Sequence, residues 1–118
     1  MEPKQDAADA VLAALADPMR RRVLDVLASH GESTATVLAT TMPVTRQAVV
    51  QHLALLERVA LVTSRRVGRE RRYTVRPEAL TATARYLMLV AARWDTRLAA
   101  IKRLAELPPP STLGLPER

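Results

Sequence analysis

A chain of 118 residues has room for one small domain, and its net charge of +6 favours an anionic partner. It has no cysteine, which excludes disulfides and thiolate sites for metals or redox chemistry. One tryptophan, two tyrosines and no phenylalanine leave few rings for stacking on single-stranded nucleic acid. No apolar run approaches a membrane span and the N-terminus is acidic, so we expect a cytoplasmic protein without membrane contact.

Two helices are predicted at the start of the chain. Residues 1–6 are expected to be flexible, and the alanine-rich segment Ala7–Ala16 to form the first helix. Asp17 supplies an N-cap, and Pro18 takes the first helical position, where its missing N–H costs no hydrogen bond. This pair starts a second helix, which Gly31 ends.

A short third helix and a longer fourth helix follow. Ser33 or Thr34 can cap the third helix, on which Val37 and Leu38 are expected to point inward. Thr45 caps the fourth helix. A buried stripe on that helix is predicted from apolar residues at the spacing i, i+4, i+7 and i+11, which are Val49, Leu53, Leu56 and Ala60.

The fourth helix has another face with polar and small side chains and few negative charges. Two short helices joined by a tight turn form a helix-turn-helix, whose second helix enters the major groove of DNA through its N-terminal residues. Arginine can bond guanine, glutamine can bond adenine, and an exposed valine can touch a thymine methyl group. The candidate contacts at this end are Thr45, Arg46, Gln47, Val50 and Gln51. An ordinary solvated helix face is the alternative.

The two histidines are weighed separately. His52 could donate to a phosphate or a base edge, or it could be a boundary histidine bonded to a nearby carbonyl. His30 is expected to cap the end of the second helix. A metal site is not expected, because the two histidines are far apart in sequence and no carboxylate stands at ligand spacing to His52.

A strongly basic hairpin follows the fourth helix. The segment Leu61–Arg76 holds six arginines and one glutamate, a local charge of +5. Residues 61–66 and 71–75 are predicted strands, with Gly68 at the connection. Such a hairpin can act as a wing that straddles the phosphate backbone or enters the minor groove, with the candidate contacts Arg65, Arg66, Arg69, Arg71 and Arg72. A charged edge hairpin is the alternative, but five arginines around one turn exceed what edge protection needs.

A long helix is predicted from Pro77 to about Leu107. Its apolar residues alternate spacings of four and three over roughly three heptads, the pattern by which one helix packs against another. We expect it to pair with the same helix of a second chain, helped by the first helix, through the interface residues Val11, Leu12, Leu15, Leu87, Ala91, Trp94, Leu98 and Ile101. The predicted domain for DNA binding and dimerisation is 7–107, followed by a disordered proline-rich tail, 108–118.

The predicted fold is therefore mainly α with a small β-hairpin, a winged helix-turn-helix with about five helices and a two-stranded wing. The sequence has no glycine-rich phosphate loop, and no spacing suggests a Ser-His-Asp group. We therefore expect neither enzymatic activity nor a cofactor.

Three motifs, in the same order and spacing, make the chain resemble the ArsR-type winged helix-turn-helix repressors of bacteria and archaea. Leu15–Leu27 is similar to the family's opening "LADPTRRxIL" stretch. Leu38-Ala39 followed by Val44–Leu56 is similar to its "LA…LSQPAVSQHLKVL" stretch. Leu61-Val62 followed by Arg66–Tyr73 is similar to "GLV…RxGRxxxY".

The resemblance implies a homodimer whose first and last helices pair across a two-fold axis, with each recognition helix in one half-site of an inverted repeat. It also implies DNA contacts by Thr45, Gln47, Gln51, His52 and the wing arginines. Val50 stands where the family usually has serine, and Gln47 where it often has proline, so the base preference is expected to differ. Ala35–Thr41 lacks the cysteine metal motif, and the last helix lacks paired Asp and His ligands, which indicates the metal-independent branch.

Two other hypotheses stay open at this point. One is a repressor of the same fold that senses a metal or a metabolite. The other is a protein-interaction adaptor, in which the wing and the long helix bind a protein partner and not DNA.

Overall fold

A computed structural model describes residues 3–107, with five helices and three strands among them. The elements in chain order are α1 (Pro3–Leu15), α2 (Pro18–His30), β1 (Glu32–Thr34), α3 (Ala35–Thr40), α4 (Arg46–Arg58), β2 (Val62–Val67), β3 (Glu70–Val75) and α5 (Glu78–Glu106). The predicted class, a mainly helical winged helix-turn-helix, is confirmed. None of the helices in this range combines the length and hydropathy that a membrane span requires.

The chain divides into two compact units, Met1–Tyr86 and Leu87–Arg118. The predicted domain, 7–107, spans this boundary and stays a prediction. The first helix begins at Pro3 and not at Ala7, so part of the segment expected to be flexible is helical. The acidic Asp6 in the first turn suits the partial positive charge at a helix N-terminus. The predicted tail, 108–118, lies outside the described residues.

The first unit has one continuous apolar core. Its fully buried side chains come from helices α1 to α4 and from the entry to β2, and are Val11, Val23, Leu27, Leu38, Val49, Leu53, Leu56 and Leu61. The stripe predicted on α4 is thus confirmed at three of its four positions. The exception is Ala60, which is exposed with a φ of 66°, because α4 ends at Arg58 and the chain turns away there.

Two other predicted positions differ from the structure. Val37 is 47% exposed, since the short helix α3 buries Ala35 and Leu38, one turn apart, and Val37 lies off that face. Val11 is only 2% exposed because it packs in the core of its own unit. It is therefore not available for the interface with a second chain, whereas Leu12 is 38% exposed.

A third strand joins the predicted hairpin. β1 pairs antiparallel with β3, with Glu32 opposite Thr74 and Thr34 opposite Arg72, and the sheet order is β1-β3-β2. The wing is therefore part of a three-stranded sheet and not a lone hairpin. At its tip, Val67 pairs with Glu70 across a two-residue turn, and Gly68 has the predicted positive φ, 63°.

Side chains cap the junction between α1 and α2 on both sides. The Asp17 carboxylate accepts hydrogen bonds from the backbone N–H groups of Met19 and Arg20, at 2.8 and 3.2 Å, which confirms the predicted N-cap. The Arg20 Nε donates to the Ala14 carbonyl at 2.7 Å, near the C-terminal end of α1. Part of the arginine run at the start of α2 therefore serves to join two helices.

We expect Asp17→Ala to lower the Tm by about 4–8 °C, because the first turn of α2 loses its cap. The backbone N–H of Arg20 holds the pKa of Asp17 below its ordinary value, 3.8. The charged cap therefore stabilises the fold at pH values above 3.8, and this contribution is lost as the pH falls through the lower pKa of the folded state. Thermal unfolding monitored by circular dichroism measures the change, and Asp25→Ala, at an exposed position of α2, is the matched control. An equal Tm for the two variants would contradict the capping role.

Candidate nucleic-acid interface

The rotation of α4 is set by its cap and by its buried stripe. The Thr45 Oγ1 accepts a hydrogen bond from the Ala48 N–H at 3.0 Å and so starts the helix at Arg46. Val49 and Leu53 are fully buried in the core. Because these residues fix one side of the helix inward, Gln47 and its neighbours one turn further on face solvent.

The outward side of α4 is defined here as the reading face. Its exposed residues are Gln47, Gln51, Ala54 and Arg58, and Arg46 is exposed beside them at the start of the helix. Glutamine side chains carry both a donor and an acceptor, so two of them one turn apart can pair with two neighbouring base edges. The Arg46 Nε donates to the Thr36 Oγ1 at 3.0 Å, which holds this guanidinium beside α3 while its Nη groups can still donate to an anion or a base.

Two of the predicted contacts on α4 are less exposed. Val50 is half-buried against the edge of the core. His52 is also half-buried, and one residue along an α-helix turns the side chain by roughly 100°, so His52 points away from Gln51. The structure therefore separates His52 from the reading face.

The wing is the hairpin of β2 and β3, and its strand arginines divide between two faces of the sheet. Arg66 and Arg71 lie opposite each other on the inner face, which also carries the buried Tyr73. Arg65 and Arg72 lie opposite each other on the outer face. Each pair brings two like charges together across the strands, an arrangement that destabilises a sheet unless anions compensate it.

Carboxylates compensate the outer pair. The Arg65 Nε and Nη2 donate to the two carboxylate oxygens of Glu32, at 2.9 and 3.1 Å. The Arg72 Nε donates to the Glu70 Oε1 at 3.2 Å, and its Nη1 lies 3.9 Å from the Glu32 Oε1. The outer face is therefore close to neutral, and the structure does not bring Arg65 and Arg72 to the interface as unpaired cations.

The inner pair has a different environment. Within residues 3–107, neither Arg66 nor Arg71 forms an ion pair with a carboxylate, and both side chains are exposed. The Arg71 Nη1 donates to the Ser64 Oγ at 3.0 Å, and the Ser64 hydroxyl donates to the Glu57 Oε2 at 2.7 Å. This relay connects the wing to the last turn of α4. The inner pair, with Arg69 exposed at the turn, therefore provides a positive surface on which neither Arg66 nor Arg71 is directly paired with a carboxylate of the described residues.

Glu32 is the member of these charge networks that the sequence reasoning missed. It is separated from Arg65 by 33 residues, and the strand that places it is only three residues long. The Arg65 guanidinium beside it holds the pKa of Glu32 below its ordinary value, so the carboxylate is ionised at neutral pH. Only the pairing of β1 with β3 brings the two charges together.

Metal-ligating side chains are not gathered in the described part of the chain. Residues 3–107 contain no group of three or more His, Cys, Asp or Glu side chains that could hold a metal ion. The side chains of α4 and the wing described above can donate and accept hydrogen bonds and can pair with an anion.

Comparison with known proteins gives a consistent set of relatives. The profile of a family described as a helix-turn-helix domain matches residues 15–65. The uncharacterized HTH-type transcriptional regulator YuzN of Bacillus subtilis (strain 168) is 41% identical over 69 residues, which cover 53% of this chain and 75% of YuzN. An ArsR-like transcriptional regulator from Rhodococcus sp. RHA1 superposes with a TM-score of 0.78 at 43% identity, over 88% of this chain and 97% of that structure.

A further similar structure is described with its assembly. It is the homodimeric winged helix-turn-helix DNA-binding domain (fragment 1–100) of Mb0332 from Mycobacterium bovis, a possible ArsR-family transcriptional regulator. It superposes with a TM-score of 0.58 at 31% identity, over 77% of this chain and 81% of that structure.

Proposed function

The chain belongs to the ArsR-type family of helix-turn-helix transcriptional regulators, and we propose that it is a dimeric repressor that binds an inverted-repeat operator. The observation that supports this most is that one compact unit joins an exposed polar helix face to a hairpin whose inner arginines form no direct ion pair with a carboxylate in the described part of the chain. Gln47 and Gln51 are assigned to base edges, and Arg66 and Arg71 to phosphates. Recognition of the DNA sequence then comes from α4, and affinity for DNA of any sequence comes from the wing.

The long helix α5 supports the dimer. Within the second unit, Trp94 is 61% exposed and Leu98 is 63% exposed, an unusual state for large apolar side chains in a monomer. They belong to one apolar seam, defined as Leu87, Ala91, Trp94, Leu98 and Ile101. The spacing of the seam suits the same helix of a second chain, and Mb0332, a structural relative, is homodimeric.

Two-fold symmetry of the protein sets the form of the operator. A dimer of this type places two recognition helices about one DNA turn apart, roughly 34 Å, so each helix reads one half-site. The half-sites are therefore expected to form an inverted repeat. Bound near a promoter, such a dimer blocks transcription of its own gene or a neighbouring gene.

Selection of bound fragments from the source genome tests this proposal, followed by gel shifts on the chain's own upstream region. Enrichment of one inverted repeat near promoters is the expected result, and transcription in vitro from such a promoter should fall as protein is added. Fragments without a shared sequence would contradict the operator, and rising transcription would contradict repression.

The other two hypotheses have direct tests. Calorimetry with Zn²⁺, Ni²⁺ and Cu²⁺ separates a metal-sensing repressor from one that works without metal, since tight binding would favour the metal sensor. A metabolite sensor would release the operator on addition of its ligand. An adaptor that binds protein and not DNA would leave every duplex unshifted.

Gln51→Ala tests base reading by α4. We expect a loss of about 1–3 kcal/mol for each half-site on the selected operator, and a much smaller loss on random duplex DNA, because Gln51 makes no phosphate contact in this proposal. Fluorescence anisotropy on both duplexes measures the difference, and His52→Ala, away from the reading face, is the matched control. Equal losses on the two duplexes would show that Gln51 is not a base reader.

A further inference from the structure

We propose that Glu32 limits the affinity of the protein for DNA of any sequence, by keeping Arg65 of the wing away from phosphates. This inference rests on the proposed function, since it requires the wing to contact DNA. Glu32 would then lower the affinity for operator and random DNA by the same factor without touching DNA itself, as a positioning residue that acts through Arg65.

The geometry of the Glu32–Arg65 pair is the first step. Two nitrogens of one guanidinium, Nε and Nη2, donate to the two oxygens of one carboxylate, at 2.9 and 3.1 Å. A phosphate is bound by arginine through the same kind of two-point contact. While Glu32 occupies this edge of Arg65, a DNA phosphate cannot use it.

Arg72 completes the outer network. Its Nε and Nη2 both lie 3.2 Å from the Glu70 Oε1, and its Nη1 lies 3.9 Å from the Glu32 Oε1. Two arginines and two glutamates thus cancel in charge on the outer face. The inner pair, Arg66 and Arg71, forms no direct ion pair with a carboxylate within residues 3–107.

Backbone pairing holds this network in place. Exposed ion pairs between flexible side chains contribute little, but here all the partners stand on strands of one sheet whose register is fixed. Thr34 lies opposite Arg72, and Arg65 lies opposite Arg72 on its other side, which brings Glu32 within reach of both arginines. Arg65 also lowers the pKa of Glu32, so the carboxylate remains charged at neutral pH.

The loss of a phosphate contact lowers the affinity for every DNA sequence by the same factor. Each phosphate neutralised by a cation steepens the dependence of log K on log salt by about 0.9 units, whatever the bases are. By removing Arg65 from phosphate binding, Glu32 lowers the affinity for operator and random DNA alike, while the base contacts of α4 keep the preference for the operator.

Glu32→Gln is the test, measured by anisotropy on a random duplex at several salt concentrations. We expect the salt slope to steepen by about one unit for each bound protomer, and the affinity at 0.15 M salt to rise about fivefold for each protomer, because Arg65 is released. Arg65→Ala in the Glu32→Gln background should restore the wild-type slope. Glu78→Gln, which removes the same charge at an exposed position of α5, should leave the slope unchanged.

A native Tm with an unchanged or flatter slope for Glu32→Gln would overturn the proposal. If Glu32→Gln does not fold, the single variant Arg65→Ala tests the proposal. An unchanged salt slope would support it, and a flatter slope would overturn it, because Arg65 would then already bind a phosphate in the wild-type protein. The Arg66→Ala/Arg71→Ala variant separates the two failures. If it also leaves the slope unchanged, the wing does not contact DNA and the proposed function fails at that point; if it flattens the slope, only the role of Glu32 fails.

Discussion

Replacing Trp94 with alanine is expected to dissociate the dimer at micromolar concentration. Trp94 stands at the centre of the seam on α5 and is 61% exposed in the single chain, and in the proposed dimer the second chain covers its ring. Loss of this ring from both protomers should weaken dimerisation by about 3–5 kcal/mol, or about two to four orders of magnitude in the dimer Kd. Sedimentation velocity over a concentration series measures the change.

The same helix offers a matched control. Leu89 is as exposed as Trp94, at 62%, but five residues turn the helix by roughly 140°, so Leu89 lies off the seam. Leu89→Ala should therefore leave the dimer Kd nearly unchanged. A wild-type chain that sediments as a monomer and still binds a single half-site tightly would contradict the dimer, as would equal effects of the two substitutions.

Removal of the inner arginine pair is expected to have the second large effect. Arg66→Ala/Arg71→Ala takes away two cations from each wing, and so four from a bound dimer. The salt slope should flatten by about four units, and the affinity at 0.15 M salt should fall about a thousandfold on operator and random DNA alike. Anisotropy titrations at several salt concentrations give both quantities.

The outer pair provides the comparison. Arg65→Ala/Arg72→Ala removes the same number of arginines from the same strands, but these guanidiniums are engaged by Glu32 and Glu70. Its effect on the salt slope should be much smaller than that of the inner pair. Equal slopes for the two double variants would show that the wing does not discriminate between its faces, and unchanged slopes for both would place the wing away from DNA.

Features that depend on neighbouring residues could be predicted from the sequence. The caps at Asp17 and Thr45 are local, since each joins a side chain to a backbone N–H at most three positions away. The positive φ of Gly68 is local too, because glycine lacks a Cβ and a two-residue hairpin turn favours this conformation. The buried positions of α4 follow from the period of the helix. These signals were sufficient for the fold class and for the reading face.

Features that depend on tertiary contacts could not be predicted in this way. Strand β1 has only three residues, and it exists because β3 offers an edge with which to pair. The Glu32–Arg65 pair joins segments 33 residues apart, so the local charge of the hairpin overstated the number of free cations. Val11 suits a dimer seam and a core equally well by type, and only packing assigns it to the core.

Anisotropy titration of two duplexes at 0.15 M salt tests sequence-specific binding by a dimer most directly. One duplex carries the inverted repeat selected from the source genome, and in the other both half-sites are scrambled. We predict two chains bound to each operator duplex, with an affinity at least about a thousandfold higher than for the scrambled duplex. Equal affinities for the two duplexes would contradict sequence-specific binding, and saturation with one chain on the intact operator would contradict binding as a dimer.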